Sequence, residues 1–244
     1  MSTRDDPQRL SRIATQWSLV MEAHDQSADG AASARQALLV HYSSSVYRYL
    51  LGAVRDPDAA EELSQEFALR LMRGAFRRAA PERGRFRDYV KTVLSNLVND
   101  HFRSKRRLPQ TGGDVELIAA ESADSAAAPS LEDCLRDNVL ERTWAALRRL
   151  QPRYHAVLLL RVEQADLSST ETARQLTATT GTKWSADGVR KTLERARTKF
   201  ADLLLDEVSA ILDCADLDDL GEALAELDLL RYCRTALDRR AKST

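Results

Sequence analysis

The sequence predicts an all-α protein of two helical domains joined by a flexible linker. Three observations predict it. Apolar residues recur at intervals of three and four, the spacing that lines one face of a helix, and no run alternates as a half-buried strand would. The 244 residues are rich in Ala, Leu, Arg and Glu, with only nine Gly and six Pro, which favours helix throughout. Between 108 and 130 the chain shifts to Ala, Ser, Gly and Asp, with four acids and no base, a composition that buries too little apolar surface to fold by itself.

Five segments follow from this reading: an N-terminal segment 1–33, a first domain 34–107, an acidic linker 108–130, a second domain 131–205 and an acidic amphipathic extension 206–244. The N-terminal segment holds one amphipathic piece, Ile13 to Met21 with Trp17, and ends in a polar run from His24 to Gly30. From Ala34 to Val54, Leu38, Leu39, Tyr42, Val46, Tyr49 and Leu50 keep a helical period. Asp56 is an N-cap candidate and Pro57 suits a first helical position, so a new helix starts there. Its buried stripe is Ala60, Leu63, Phe67 and Leu71, and its opposite face is Asp58, Glu61, Glu62, Gln65 and Glu66.

Charge then reverses. Arg70 to Arg107 carries twelve bases against three acids, Glu82, Asp88 and Asp100, a local excess of nine positive charges in a chain whose net charge is −1. Such a field calls for a polyanion or an acidic partner. Gly74 to Arg85, with Gly74, Pro81 and Gly84, breaks the helical pattern, and a second helix carries Phe86, Val90, Val93, Leu94 and Leu97 as its apolar stripe. Phe76, Phe86, Tyr89 and Phe102 lie among the arginines, the composition that stacks on unpaired bases while neutralising phosphates, although burial explains Phe86 and Tyr89 equally well.

After the linker, Ser130 caps a helix that runs through Leu150, and Pro152 starts the next, which carries Tyr154, Val157, Leu158 and Leu160. Ser168 to Glu171 matches a capping box, and Ser185 caps a last basic helix with Val189, Leu193, Ala196, Phe200 and Leu203 on its apolar side. Two helices and a turn, the second helix bearing Arg190, Lys191, Arg195, Arg197 and Lys199 against Asp187 and Glu194, read as a helix-turn-helix. The turn, Thr177 to Trp184, is longer than such motifs use, and Trp184 is placed to staple it. Asp202 to Asp228 holds ten acids and no base beside a leucine-rich stripe. That extension either packs as an extra helix pair on the second domain or folds back over a basic face in competition with DNA.

Several classes are excluded. Cys134, Cys214 and Cys233 and the four histidines have no metal-binding spacing, so neither a metal nor a cofactor is expected. No Gly-rich phosphate loop, nucleophile elbow or Ser/His/Asp arrangement is present, and no enzyme is expected. The first residues lack an apolar signal region and no run approaches a bilayer span, which points to a cytoplasmic protein with no membrane partner.

The residues Asp-Pro-Asp-Ala-Ala-Glu-Glu-Leu-Ser-Gln-Glu-Phe (56–67), Pro-Glu-Arg-Gly-Arg-Phe-Arg-Asp-Tyr-Val (81–90), and Asn96 and Asp100 followed by Arg103 resemble region 2 of the extracytoplasmic-function group of bacterial sigma-70-type factors, initiation subunits of RNA polymerase. Leu147 to Arg161 and Val189 to Arg197 resemble region 4 of the same group, so the likeness covers 34–107 and 131–205 in the family's order. Thr15 to Val20 is similar, more weakly, to the start of planctomycete-type members.

The resemblance implies a sigma factor that binds core RNA polymerase and directs promoter recognition, DNA melting and initiation. It implies docking on the beta-prime clamp through Asp58, Glu61, Glu62, Gln65 and Glu66, with the beta flap as a further polymerase contact. It implies contact with the minus-ten element through Arg77, Arg83, Arg85, Phe86, Tyr89, Asn96, Asp100, Arg103, Arg106 and Arg107, the loop forming the pocket for a flipped base. For the minus-35 element it implies Ser185, Arg190, Lys191, Glu194, Arg195 and Arg197. Tyr89 stands where the family usually has tryptophan, a milder stacking surface, and most members end near the equivalent of Leu205. An anti-sigma factor or a regulatory kinase is a further expected partner. The alternative is a stand-alone helix-turn-helix regulator of duplex DNA; a second, negatively charged docking face is what distinguishes the sigma reading from it.

Overall fold

A computed structural model describes residues 29–73, 86–107, 128–212, 214 and 216–242, with the side chains of 29–35, 37, 86 and 107 left aside. The described residues form helices and short connections without strands, as the all-α reading expects: α1 Asp29–Val54, α2 Pro57–Met72, α3 Phe86–Arg107, α4 Leu131–Leu150, α5 Pro152–Glu163, α6 Ser169–Thr180, α7 Ala186–Leu212, α8 Leu217–Glu226 and α9 Leu230–Ala241. They divide into two compact units, and the division falls within α4, after Arg136. The expected linker, the basic loop with its base pocket and the amphipathic N-terminal piece, including Trp17, lie largely or wholly outside the described residues.

The first unit is built on α1, α2 and α3. Leu38, Tyr42, Val46 and Leu50, spaced by four, give α1 one buried stripe; Ala60, Phe67 and Leu71 do the same for α2, and Val90, Leu94 and Leu97 for α3. Leu63 and Val93, expected in these stripes, are half-buried. The joint between α1 and α2 is two residues. Arg55 takes a left-handed backbone (φ 54°), and its N–H closes on the Leu51 carbonyl at 2.8 Å. Asp56 then accepts from the N–H groups of Asp58 and Ala59 at 3.1 and 3.3 Å, with Pro57 in the first turn, which is the predicted cap.

The first turns of α4 also belong to this unit. Ser130 and Asp133 cap each other reciprocally: Ser130 Oγ accepts from the Asp133 N–H at 3.0 Å, and Asp133 Oδ2 accepts from the Ser130 N–H at 3.2 Å. Leu131, Cys134 and Leu135 are buried, Ser45 Oγ donates to the Cys134 carbonyl at 3.3 Å, and Lys91 Nζ reaches Glu132 Oε1 at 3.0 Å. Burial works to raise the Glu132 carboxyl, but Lys91 and the residue's own N–H outweigh it and hold it below its ordinary range. The segment seats because Gly52 has no side chain: a Cβ there would collide with the Pro129 ring.

The second unit packs the rest of α4 with α5, α6 and α7 around Leu147, Val157, Leu158, Ala173, Leu176, Trp184, Val189, Ala196 and Leu203. α7 runs on to Leu212, so the boundary expected at 205/206 falls inside it. α8 and α9 both pack on α7, burying Leu220, Ala223, Leu224, Leu227, Leu229, Cys233 and Ala236. A Schellman turn joins them, with the Leu229 N–H on the Leu224 carbonyl at 2.8 Å and Asp228 in the left-handed region (φ 54°). Arg240 bonds the Asp202 carbonyl at 2.9 Å and the Asp206 carboxylate at 2.5 Å, and Arg239 pairs with Asp202 at 2.8 Å. The acidic stretch from Asp202 is thus partly neutralised by arginines later in the same chain.

Candidate functional site

Three surfaces carry the predicted residues. The first is the solvent side of α2. Because Ala60, Phe67 and Leu71 turn inward, Asp58, Glu61, Glu62 and Gln65 turn outward together and are exposed. Gln65 Nε2 reaches Glu61 Oε1 at 3.5 Å, whereas Glu66 is partly covered and paired with Arg70 at 2.8 Å. Sequence reasoning missed how this face ends. Leu69 and Met72 are 46% and 43% exposed and continue the line of Glu62, Gln65 and Glu61 by helical spacing. The face is therefore acidic at its start and apolar at its end. Their apolar character and their helical register with the carboxylate strip were visible in the sequence, but their exposure was not.

The second surface is the solvent side of α3. With Val90, Leu94 and Leu97 inward, Asn96, Asp100 and Arg103 are exposed along one strip, and Tyr89, half-buried, starts it. Arg103 Nη1 pairs with Asp100 Oδ1 at 3.1 Å, both well exposed, so the guanidinium stays available to a phosphate. Arg106 is exposed on a neighbouring line of the helix, and Phe102 is half-buried against His101, edge to face at 5.4 Å. Phe86 and Arg107 lie within α3, and Arg77, Arg83 and Arg85 fall outside the described residues.

The third surface is the helix-turn-helix of α6 and α7. The capping box at its start is present as predicted, with Ser168 Oγ accepting from the Glu171 N–H at 3.2 Å and Glu171 Oε2 accepting from the Ser168 N–H at 3.0 Å. These bonds hold the Glu171 carboxyl below its ordinary range. The turn departs from expectation. It is not the eight residues Thr177 to Trp184, because α6 continues to Thr180 and the connection is only Gly181 to Ser185. Thr177, Thr179 and Thr180 return their hydroxyls to the carbonyls of Ala173, Gln175 and Leu176 at 2.7, 2.9 and 2.7 Å. Each hydroxyl is thus satisfied within the helix and does not compete for the next backbone N–H groups, so a run that reads as loop by composition remains helical until Gly181, left-handed at φ 67°, ends it.

Trp184 does fasten the turn. Its backbone N–H donates to Thr177 Oγ1 at 3.0 Å and its indole N–H to Thr180 Oγ1 at 3.3 Å, and the Arg153 guanidinium lies 4.8 Å over the ring. Ser185 then caps α7 through Gly188 N–H at 3.0 Å. On α7, Arg190, Lys191, Glu194, Arg195 and Arg197 are all exposed, on the side away from Val189 and Ala196. Asp187, counted in the sequence with Glu194 against the five bases, pairs with Lys191 at 2.9 Å and Arg190 at 3.4 Å. Behind the helix Trp144 meets Phe200 at 4.8 Å and His155 edge-on at 5.7 Å. Burial and the charge of Arg148 lower the His155 pKa. No described group of acids, histidines and cysteines is arranged to hold a metal ion, and no described helix is long and apolar enough to cross a membrane.

An acidic face on α2 and a polar, basic strip on α3 in one unit, and a helix-turn-helix with exposed bases in the other, are the surfaces that a sigma-70-type initiation factor is expected to carry. Residues 38–108 match the family model for sigma-70 region 2. The chain is 34% identical over 192 residues to the ECF RNA polymerase sigma factor BldN of Streptomyces coelicolor, covering 77% of this chain and 67% of the relative. No solved structure matches it. The chain belongs to the extracytoplasmic-function group of RNA polymerase sigma factors.

Proposed function

We propose that this sigma factor docks on the beta-prime clamp of core RNA polymerase through the outward face of α2, and that α3 and α7 then engage the minus-ten and minus-35 elements of the promoter. The observation that carries this division of labour is the pair of separate strips in one small unit: Asp58, Glu61, Glu62 and Gln65 on α2, and Tyr89, Asn96, Asp100 and Arg103 on α3. A protein that only bound duplex DNA would gain nothing from the first strip, whose charge repels phosphate. Leu69 and Met72 supply that strip with apolar contact area, the part of an interface that contributes most of the affinity while the carboxylates select the partner. On α3, arginine takes phosphates while Tyr89 and Asn96 meet bases that have left the stack. On α7, Ser185, Arg190, Lys191, Glu194, Arg195 and Arg197 lie on the side that enters a major groove. The region 4 surface meets the beta flap, work on the chromosome sets the protein in the cytoplasm, and an anti-sigma factor would act by covering the α2 or α3 strip.

The test is charge reversal on α2. Glu61→Lys with Glu62→Lys is expected to abolish co-purification with bacterial core polymerase and run-off transcription, while far-UV circular dichroism stays unchanged because both side chains are exposed. Retained binding to core would sink the docking assignment.

A further inference from the structure

The outward face of α7 is not uniformly basic. At about 100° per residue, Val189, Ala196 and Leu203 mark the buried line, and the line opposite them carries Asp187 and Glu194, seven residues or two turns apart. The bases flank this line. Arg190 and Arg197 fall on one side of it, Lys191 and Arg195 on the other. Asp187 is ionised, because hydrogen bonding and charge from Lys191 hold its carboxyl below the ordinary range, and it remains 60% exposed while paired. Glu194 is exposed at the centre of the same line.

A helix seated in a major groove presents its central line to the base edges and its flanks to the two phosphate walls. Carboxylates on the flanks would be repelled; on the central line they meet bases. An ionised carboxylate only accepts hydrogen bonds, and the base-edge group suited to it is the amino group of cytosine. Resting on the assignment of α7 to the upstream element, we infer that Asp187 and Glu194 are specificity-determining residues that select cytosine at two positions of that element. A helix in the major groove is inclined to the DNA axis, so residues about two turns apart reach bases about two steps apart. Arg190, Arg197, Lys191 and Arg195 grip the walls on either side, and the exposed pairs of Asp187 with Arg190 and Lys191 are weak enough to yield to phosphate. A different explanation of Asp187 is that an acid in a first turn suits the helix dipole. That explanation predicts a change in stability and none in base preference.

The test is selection of initiating promoters from a duplex library randomised across the upstream element, using full-length protein with core polymerase. The wild type is expected to enrich C·G pairs at two positions about two base pairs apart. Glu194→Gln and Asp187→Asn present an amide that pairs with adenine, so each is expected to shift one of those positions from C·G to A·T by about tenfold and leave the other unchanged. Both side chains are exposed, and circular dichroism checks that each variant is folded. Variants that keep the wild-type base preference, or change affinity alike for all sequences, would overturn the inference while leaving the assignment of α7 intact. A wild type that initiates but enriches no upstream base would overturn both.

Discussion

Replacing Trp184 by alanine tests whether the turn of the helix-turn-helix is held by packing. The ring is 9% exposed and belongs to the core of the second unit. Emptying such a site costs about 3–5 kcal/mol, the transfer energy of the ring plus the cavity it leaves. Loss of the Arg153 stack adds about 0.5–1 kcal/mol for a partner at the surface. The indole hydrogen bond adds little, because Thr180 Oγ1 keeps its own bond to the Leu176 carbonyl at 2.7 Å and is not orphaned. The sum is about 5 kcal/mol, a large part of the stability of a small domain. Trp184→Phe retains the apolar body and the surface under Arg153, and is expected to cost only about 1–2 kcal/mol. Urea unfolding followed by far-UV circular dichroism reads both, with the Arg153→Ala variant as a control for the stack. If Trp184→Ala lost less than about 1 kcal/mol, the ring would be an ornament of the turn, and the account of Trp184 as its fastening would fail.

Two further outcomes are expected. Gly52→Ala should gain helix propensity yet destabilise by about 1–3 kcal/mol, because the new methyl meets the Pro129 ring; combined with Pro129→Ala the loss should shrink below 1 kcal/mol, and thermal melts of the two variants would show a simple additive loss if the approach were unimportant. His155 has a folded pKa below its ordinary value, so its contribution to stability is complete above about pH 6.5 and is lost as pH falls through the folded value. His155→Phe, which keeps an aromatic edge for Trp144, should therefore reduce the drop in melting temperature between about pH 7.5 and pH 5.5, and an unchanged drop would assign it to other groups.

What was legible in the sequence was what local chemistry decides. Asp56 with Pro57, Ser130 with Asp133, Ser168 with Glu171 and Ser185 each announce a helix start through a cap, and each is a helix start in the structure. The stripes of α1, α2 and α3 follow from spacing alone, which also fixes the outward strips on α2 and α3. What was not legible depends on partners far along the chain or on side chains that act against their propensity. Thr177, Thr179 and Thr180 are poor helix formers whose hydroxyls find carbonyls one turn back, so the turn looked longer than it is. The seating of Pro129 on Gly52 joins α1 to the last residues of the segment read as linker, with α2 and α3 between them in sequence, and nothing in either neighbourhood signals it. Leu69 and Met72 were readable as apolar but not as exposed, since exposure depends on where the unit's other helices stop. Asp187 and Glu194 were counted against the bases around them, which concealed that the two signs occupy different lines of α7.

The packing of α8 and α9 on α7 has a consequence for how the protein is made. Synthesis delivers α4, α5, α6 and the whole of α7 before any of α9 exists, so Leu204, Leu205, Val208, Ile211 and Leu212 leave the ribosome ahead of the helices that pack on α7. Arg239 and Arg240 reach Asp202 and Asp206 only after that interval. The unit that carries the helix-turn-helix therefore matures after the first unit. A nascent chain stalled between α7 and α9 displays an uncovered leucine-rich helix, the kind of surface that chaperones hold and that proteases find first.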